Sequence, residues 1–136
     1  MKRIESLSRM AELFQYKTIQ DSFGNEYVVT AGSSLEEAPP VEDKTAFEAV
    51  ENHVHIVDRV RKDEFEALID VAHVLGPAVL RNLQMSYPEK KFFVFVSLCL
   101  GDSMIIRFHQ QWEDEVPYYD TSSFSVGTDR VFGFSN

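Results

Sequence analysis

The feature that most constrains this chain is a Gly101-Asp102 pair between two apolar-rich runs, Phe92–Leu100 and Ser103–Trp112. Glycine beside aspartate supplies the positive-φ backbone that a tight antiparallel connection needs, so the two runs read as a hairpin. A loop of those two residues alone pairs Leu100 with Ser103, and every earlier pair follows by counting. That register puts Phe93, Phe95, Ser97 and Cys99 on one face with Met104, Ile106, Phe108 and Trp112. The opposite face holds Phe92, Val94, Val96, Leu98 and Leu100 beside Ile105, Arg107, His109 and Gln111. The first strand is apolar on both faces and belongs inside a sheet. The second has a polar face that must reach solvent or a cleft.

Helical spacing appears in two places. Ile4, Leu7, Met10, Ala11 and Phe14 predict an amphipathic helix over residues 3–16. Phe65, Leu68, Ile69, Ala72, Leu75, Val79 and Leu83 form a longer stripe, with Asp63 and Glu66 placed for a capping box. Gly76-Pro77 interrupts that stripe and predicts a kink, or a break with Pro77 starting a second helix. Short strands are expected at Glu26–Thr30 and His53–Val57, and near residues 123–126 and 130–134. At 136 residues the chain is the length of one domain, 1–136. The expected fold is α+β: an antiparallel sheet of about four to six strands centred on the 92–112 hairpin. The N-terminal helix and the long, Gly-Pro-interrupted helix would cover one face, and an open sheet completed by a partner is the alternative.

Charge narrows the function classes. The formal net charge is −9, which argues against nucleic acid and anionic membranes as partners, since both require a positive footprint. The charge is not spread evenly. Residues 33–52, an acidic connector, hold Glu36, Glu37, Glu42, Asp43, Glu48 and Glu51 against Lys44. Residues 92–136 hold Asp102, Glu113, Asp114, Glu115, Asp120 and Asp129 against Arg107 and Arg130, and the rest of the chain is balanced. In the second region, Trp112, Glu113, Asp114, Glu115, Tyr118, Tyr119 and Asp120 interleave acids with aromatics around Pro117. As an exposed loop, this segment would suit contact with a basic protein, aromatics giving contact area and acids steering. Alternatively the aromatics fold back under the core and only the acids are solvated.

Linear motifs for phosphate loops, dinucleotide folds, zinc proteases, zinc fingers and α/β-hydrolases are absent, and no cofactor is expected. His53 and His55 leave one face of a strand and form a candidate metal pair, with a third ligand from His109 or an acid near Glu48 and Glu51. The alternative is two half-exposed strand histidines. Arg107 and His109 share the hairpin's polar face and form a candidate ligand site, although no nucleophile accompanies them. Cys99, the only cysteine, lies in an apolar run and reads as a structural thiol. Without a signal-type apolar run the expected location is the cytoplasm.

The reading that joins these features is a small acidic binding or inhibitor protein whose acidic and aromatic patches meet a basic partner, such as a toxin nuclease. In composition the chain is similar to bacterial immunity proteins, which are often small, acidic and α+β. No motif carries that likeness. The alternative is a small-molecule or metal-binding domain around His53, His55, Arg107 and His109, and an adaptor using its first helix is a third possibility.

Overall fold

In a computed structural model, residues 8–136 are described. After a short helix α1 (residues 8–12) come β1 (Tyr16–Gln20) and β2 (Glu26–Thr30), a two-stranded antiparallel sheet. Helix α2 (Lys44–Glu51) leads into β3 (His53–Val57), and α3 (Phe65–Ser86) follows. Strands β4 (Phe92–Cys99), β5 (Met104–Gln110) and β6 (Asp129–Ser135) complete a four-stranded antiparallel sheet in the order β3-β5-β4-β6. The α+β class, the central place of the first hairpin strand and the covering long helix all hold. The six strands form two sheets instead of one.

The hairpin register differs from the counted one by a single residue. Leu98 pairs with Met104 and Phe92 with Gln110, and the loop spans residues 100–102 with Gly101 at φ 78°. Side chains alternate with period two, so this one-residue shift exchanges the faces of β5 relative to β4. Phe92, Val94, Val96 and Leu98 now share a face with Met104, Ile106 and Phe108, all buried. The physical reason is continuity of the core. Strand β4 is apolar on both sides and tolerates either register, whereas β5 has one apolar row and must bury it against α3. The other face carries Phe93, Phe95, Ser97, Ile105, Arg107 and His109.

Helix α3 runs unbroken through Pro77. Its Gly76 is buried against the Phe134 ring of β6, where a Cβ would stand 2.3 Å from a ring carbon. The capping box does not form: Glu64 occupies the N-cap without a side-chain bond to the helix and accepts instead from the Arg61 N–H. The expected first helix ends earlier than residue 16, because Tyr16 begins β1 and pairs with Thr30. Its first residues, 3–7, lie outside the described part. Residues 121–124 form a 3-10 turn, and the last strand covers Asp129–Ser135.

The acidic connector is packed. Ala38 is buried and its N–H donates to the Gln20 carbonyl at 3.0 Å. Ile19, Tyr27, Val29 and Ala38 form a small second core, closed by Leu35, Val41, Phe47 and Trp112.

Candidate functional site

Two hydrogen-bonding side chains of α2 and its C-cap sit where the two sheets meet. Strand β3 pairs with β5 only as far as His53 opposite Arg107, leaving Phe108–Gln110 without a strand neighbour on that side. Asn52 and Glu48, one helical turn apart, continue the row. The Asn52 amide accepts from the Thr30 N–H (3.0 Å) and donates to the carbonyls of Val28 (2.8 Å) and Phe108 (3.3 Å). Glu48 is fully buried and accepts four bonds. Its Oε2 accepts from the Val28 N–H (2.9 Å) and Gln110 Nε2 (2.8 Å). Its Oε1 accepts from the Gln110 N–H (2.8 Å) and Trp112 Nε1 (2.7 Å). Burial pushes the carboxyl up to about 7, outweighing the bonds from Gln110, Val28 and Trp112 that favour its charged form. Sequence reasoning counted Glu48 as surface acid. The signal that would have found it is the spacing Thr45, Glu48, Ala49, which places it on the buried stripe of α2.

Glu115 joins the two acidic segments. Its carboxylate accepts from the N–H groups of Lys44 (3.2 Å) and Thr45 (2.7 Å) and from Thr45 Oγ1 (2.7 Å), at the N-terminus of α2. Asp43 caps the same helix through the Ala46 N–H at 2.9 Å. Carboxylates are favoured there because the first helical N–H groups lack internal partners. Burial alone would raise the Glu115 carboxyl, but the Thr45 and Lys44 bonds and the Lys44 charge together hold it below its ordinary value. This contact sets Glu113 and Asp114, both exposed, beside the exposed Glu42 and Asp43. Asp114 makes the turn at φ 64°, a conformation aspartate tolerates better than most residues.

The aromatics of this loop are divided between the seam and the sheet. Trp112 packs on Tyr27 at 5.2 Å between ring centroids, under the Lys44 ammonium. Tyr118 and Tyr119 fold back, half-buried, onto the second face of the sheet, where Tyr119 meets Phe95 edge-on at 5.4 Å. Arg107 lies under them, 5.2 Å from the Tyr118 ring centre, and donates to the Ala49 carbonyl at 3.2 Å. Asp120 is exposed and its carboxylate accepts from the Ser122 N–H and hydroxyl.

The histidines separate into two kinds. His109 is buried; its Nδ1 faces the Gln110 carbonyl at 2.7 Å and its Nε2 accepts from the Tyr118 N–H at 3.2 Å. Nδ1 therefore carries the proton of a neutral ring. Burial lowers its affinity for a second proton, against the opposing pull of the Gln110 carbonyl and the Asp43 and Glu115 charges. His53 and His55 project beside Arg107 with ring centroids 5.5 Å apart, and His53 Nδ1 rests on the Val50 carbonyl. No third ligand joins the pair: among the described residues no three of His, Cys, Asp and Glu gather in a metal-holding group. Glu48 is committed to its four donors, and Glu51 accepts from Ser33 Oγ. Burial and the Asp129 carboxylate push the Cys99 thiol up, away from a nucleophile's range.

Among the described residues no helix is long and apolar enough to cross a membrane. Comparison with known proteins yields no relative: no family model, curated protein or solved structure matches the chain.

Proposed function

We propose that the protein is a small acidic binding protein of the inhibitor type, presenting one joined acidic surface to a basic protein partner such as a toxin nuclease, in the manner of an immunity protein. The observation that carries this reading is the Glu115 contact with Lys44 and Thr45, which puts Glu42, Asp43, Glu113 and Asp114 on one anchored platform. Lys44 is the only lysine or arginine within residues 33–52 and 112–120, and it is already engaged by Glu115 at 3.7 Å. Val116, 81% exposed, and the adjoining Pro117 supply apolar area at the rim. Fixed acids beside exposed apolar area steer and then hold a cationic surface. The cytoplasm, where a nuclease inhibitor would act, is the location this reading implies.

The test is co-expression with the product of the neighbouring reading frame, followed by co-purification. A complex is expected whose affinity falls steeply with salt and drops at least about tenfold in Glu113→Lys/Asp114→Lys, because two steering charges reverse sign. No complex, or one indifferent to both salt and charge reversal, would overturn the proposal.

A second reading, an anionic small ligand beside Arg107, His53 and His55, rests on the Arg107 guanidinium having no carboxylate partner among the described residues. Imidazole NMR signals of His53 and His55 that stay fixed during titration with inorganic phosphate would remove it.

A further inference from the structure

On the side of the sheet remote from the acidic platform, β6 is an open edge. The Leu100 N–H donates to the Thr128 carbonyl at 2.9 Å, which sets the alternation along the β4–β6 ladder. Residues 130, 132 and 134 exchange bonds with β4, so the N–H and C=O groups of Val131, Gly133 and Ser135 point outward. Among the described residues no strand pairs with them. The edge is seven residues long with no proline, and its register with β4 has no bulge. Its charges are confined to Asp129 and Arg130, so the usual guards of an exposed edge are missing. A notch of about 260 Å³ runs along it, between His73 of α3 and Thr121 and Ser125 opposite.

Helix α3 flanks the same edge with an unpartnered stripe. Asp70, Val74, Pro77 and Arg81 recur at helical spacing and all are exposed, Val74 at 73%. Neither the Asp70 nor the Arg81 side chain makes an ion pair or hydrogen bond among the described residues. The stripe is acidic at one end, apolar in the middle and basic at the other. Against an antiparallel copy of itself it is complementary: Asp70 faces the copy's Arg81 when Val74 faces Pro77. The centre of that arrangement falls between Leu75 and Gly76. Gly76 lies on Phe134 and His73 meets Phe132 edge-on at 4.8 Å between ring centroids, so the helix centre stands level with Gly133 of the strand. One two-fold axis near Gly133 therefore serves both elements.

We propose that the occupant of this edge is a second copy of the chain, in a two-fold dimer with β6 paired antiparallel to β6 and α3 beside α3. Gly133 pairs with its own copy and Val131 with the copy's Ser135, which satisfies all three outward residues on each chain. On the helix side Phe132 meets the copy's Phe134. The groove of about 570 Å³ between α3 and β6, lined by Val74, Pro77, Arg81 and Phe134, receives the neighbouring helix. Each protomer keeps its acidic platform free.

The test is sedimentation of the full chain across a concentration series, with hydrogen exchange on the same samples. A reversible dimer is expected, with the Val131, Gly133 and Ser135 amides protected only when it forms. Asp70→Lys and Arg81→Glu each turn two attractive pairs into repulsive ones and should weaken the dimer about tenfold. The double variant Asp70→Lys/Arg81→Glu restores opposite charges and should recover most of the affinity. Circular dichroism of the variants should match the parent, since both side chains are exposed. A monomer at every concentration, single reversals without effect, or a double variant no tighter than the singles would each overturn the proposal. So would a monomeric chain whose β6 edge takes a strand from an unrelated protein.

Discussion

Replacing Glu48 by glutamine keeps the volume of the side chain and changes only what its end can accept. In the native protein both oxygens are filled, each by two N–H donors. A glutamine keeps one oxygen and puts an NH2 group at the other position. Whichever way it turns, the NH2 meets two donors: either Val28 N–H and Gln110 Nε2, or Gln110 N–H and Trp112 Nε1. Two buried donors left without acceptors cost about 2–6 kcal/mol together. The pH axis sharpens the test. Burial raises the carboxyl from 4.5 to about 7, so the folded state binds a proton that the unfolded state has already released. The contribution to stability is full below pH 4.5 and is lost as pH rises through about 7; between pH 5 and 8 the loss is about 2.5 kcal/mol. Glutamine has no such titration, so the gap between parent and Glu48→Gln should narrow by that amount from pH 5 to pH 8. Other titrations are common to both proteins and cancel in the difference. Urea unfolding followed by the fluorescence of Trp112, the only tryptophan, measures both curves. A gap constant with pH would refute the raised carboxyl, and a variant as stable as the parent at pH 8, where the parent carboxylate is ionised, would refute the four-donor geometry.

Two further outcomes follow from other contacts. Gly76→Ala gains about 1 kcal/mol of helix propensity but drives a methyl into the Phe134 ring. A net loss of about 1–3 kcal/mol is expected, and a raised unfolding midpoint would show that the helix and β6 are not in close contact there. His109→Phe keeps a ring among Phe93 and Phe95 but removes the acceptor of the Tyr118 N–H. The Tyr118 amide should exchange about tenfold faster, in line with about 1 kcal/mol for one hydrogen bond, and unchanged protection would contradict the assigned tautomer.

The fold was legible where one local signal sufficed. Gly101-Asp102 placed the hairpin, and the stripe from Phe65 to Leu83 placed α3 despite Pro77. The register failed because loop length was used to set it, while the deciding constraint was the apolar row Met104, Ile106, Phe108, which only one neighbour face could bury. Strand β1 was missed because the helical stripe ending at Phe14 ran the expected helix on to residue 16, and pairing with β2 is what selects the strand from Tyr16. The candidate site was legible as composition and not as arrangement. Glu113 and Glu115 are equivalent in sequence, yet one is solvated and the other binds the backbone N–H groups of Lys44 and Thr45, 71 and 70 positions earlier in the chain. The folding back of Tyr118 and Tyr119 is one of the two outcomes the loop's composition allows, since aromatics near loops usually find a core.

The Glu48 and Asn52 contacts also bear on how this chain avoids templating assemblies it does not want. Between β2 and the end of β5 lies a gap into which a foreign strand could insert, using the polar groups of Val28, Thr30, Phe108 and Gln110. Each group named in those contacts is already occupied by a side chain from the helix and its cap. Side chains thus stand in for a missing strand. They match the hydrogen-bonding of a ladder but have no free edge of their own to propagate, so the seam is sealed against strand invasion from either sheet.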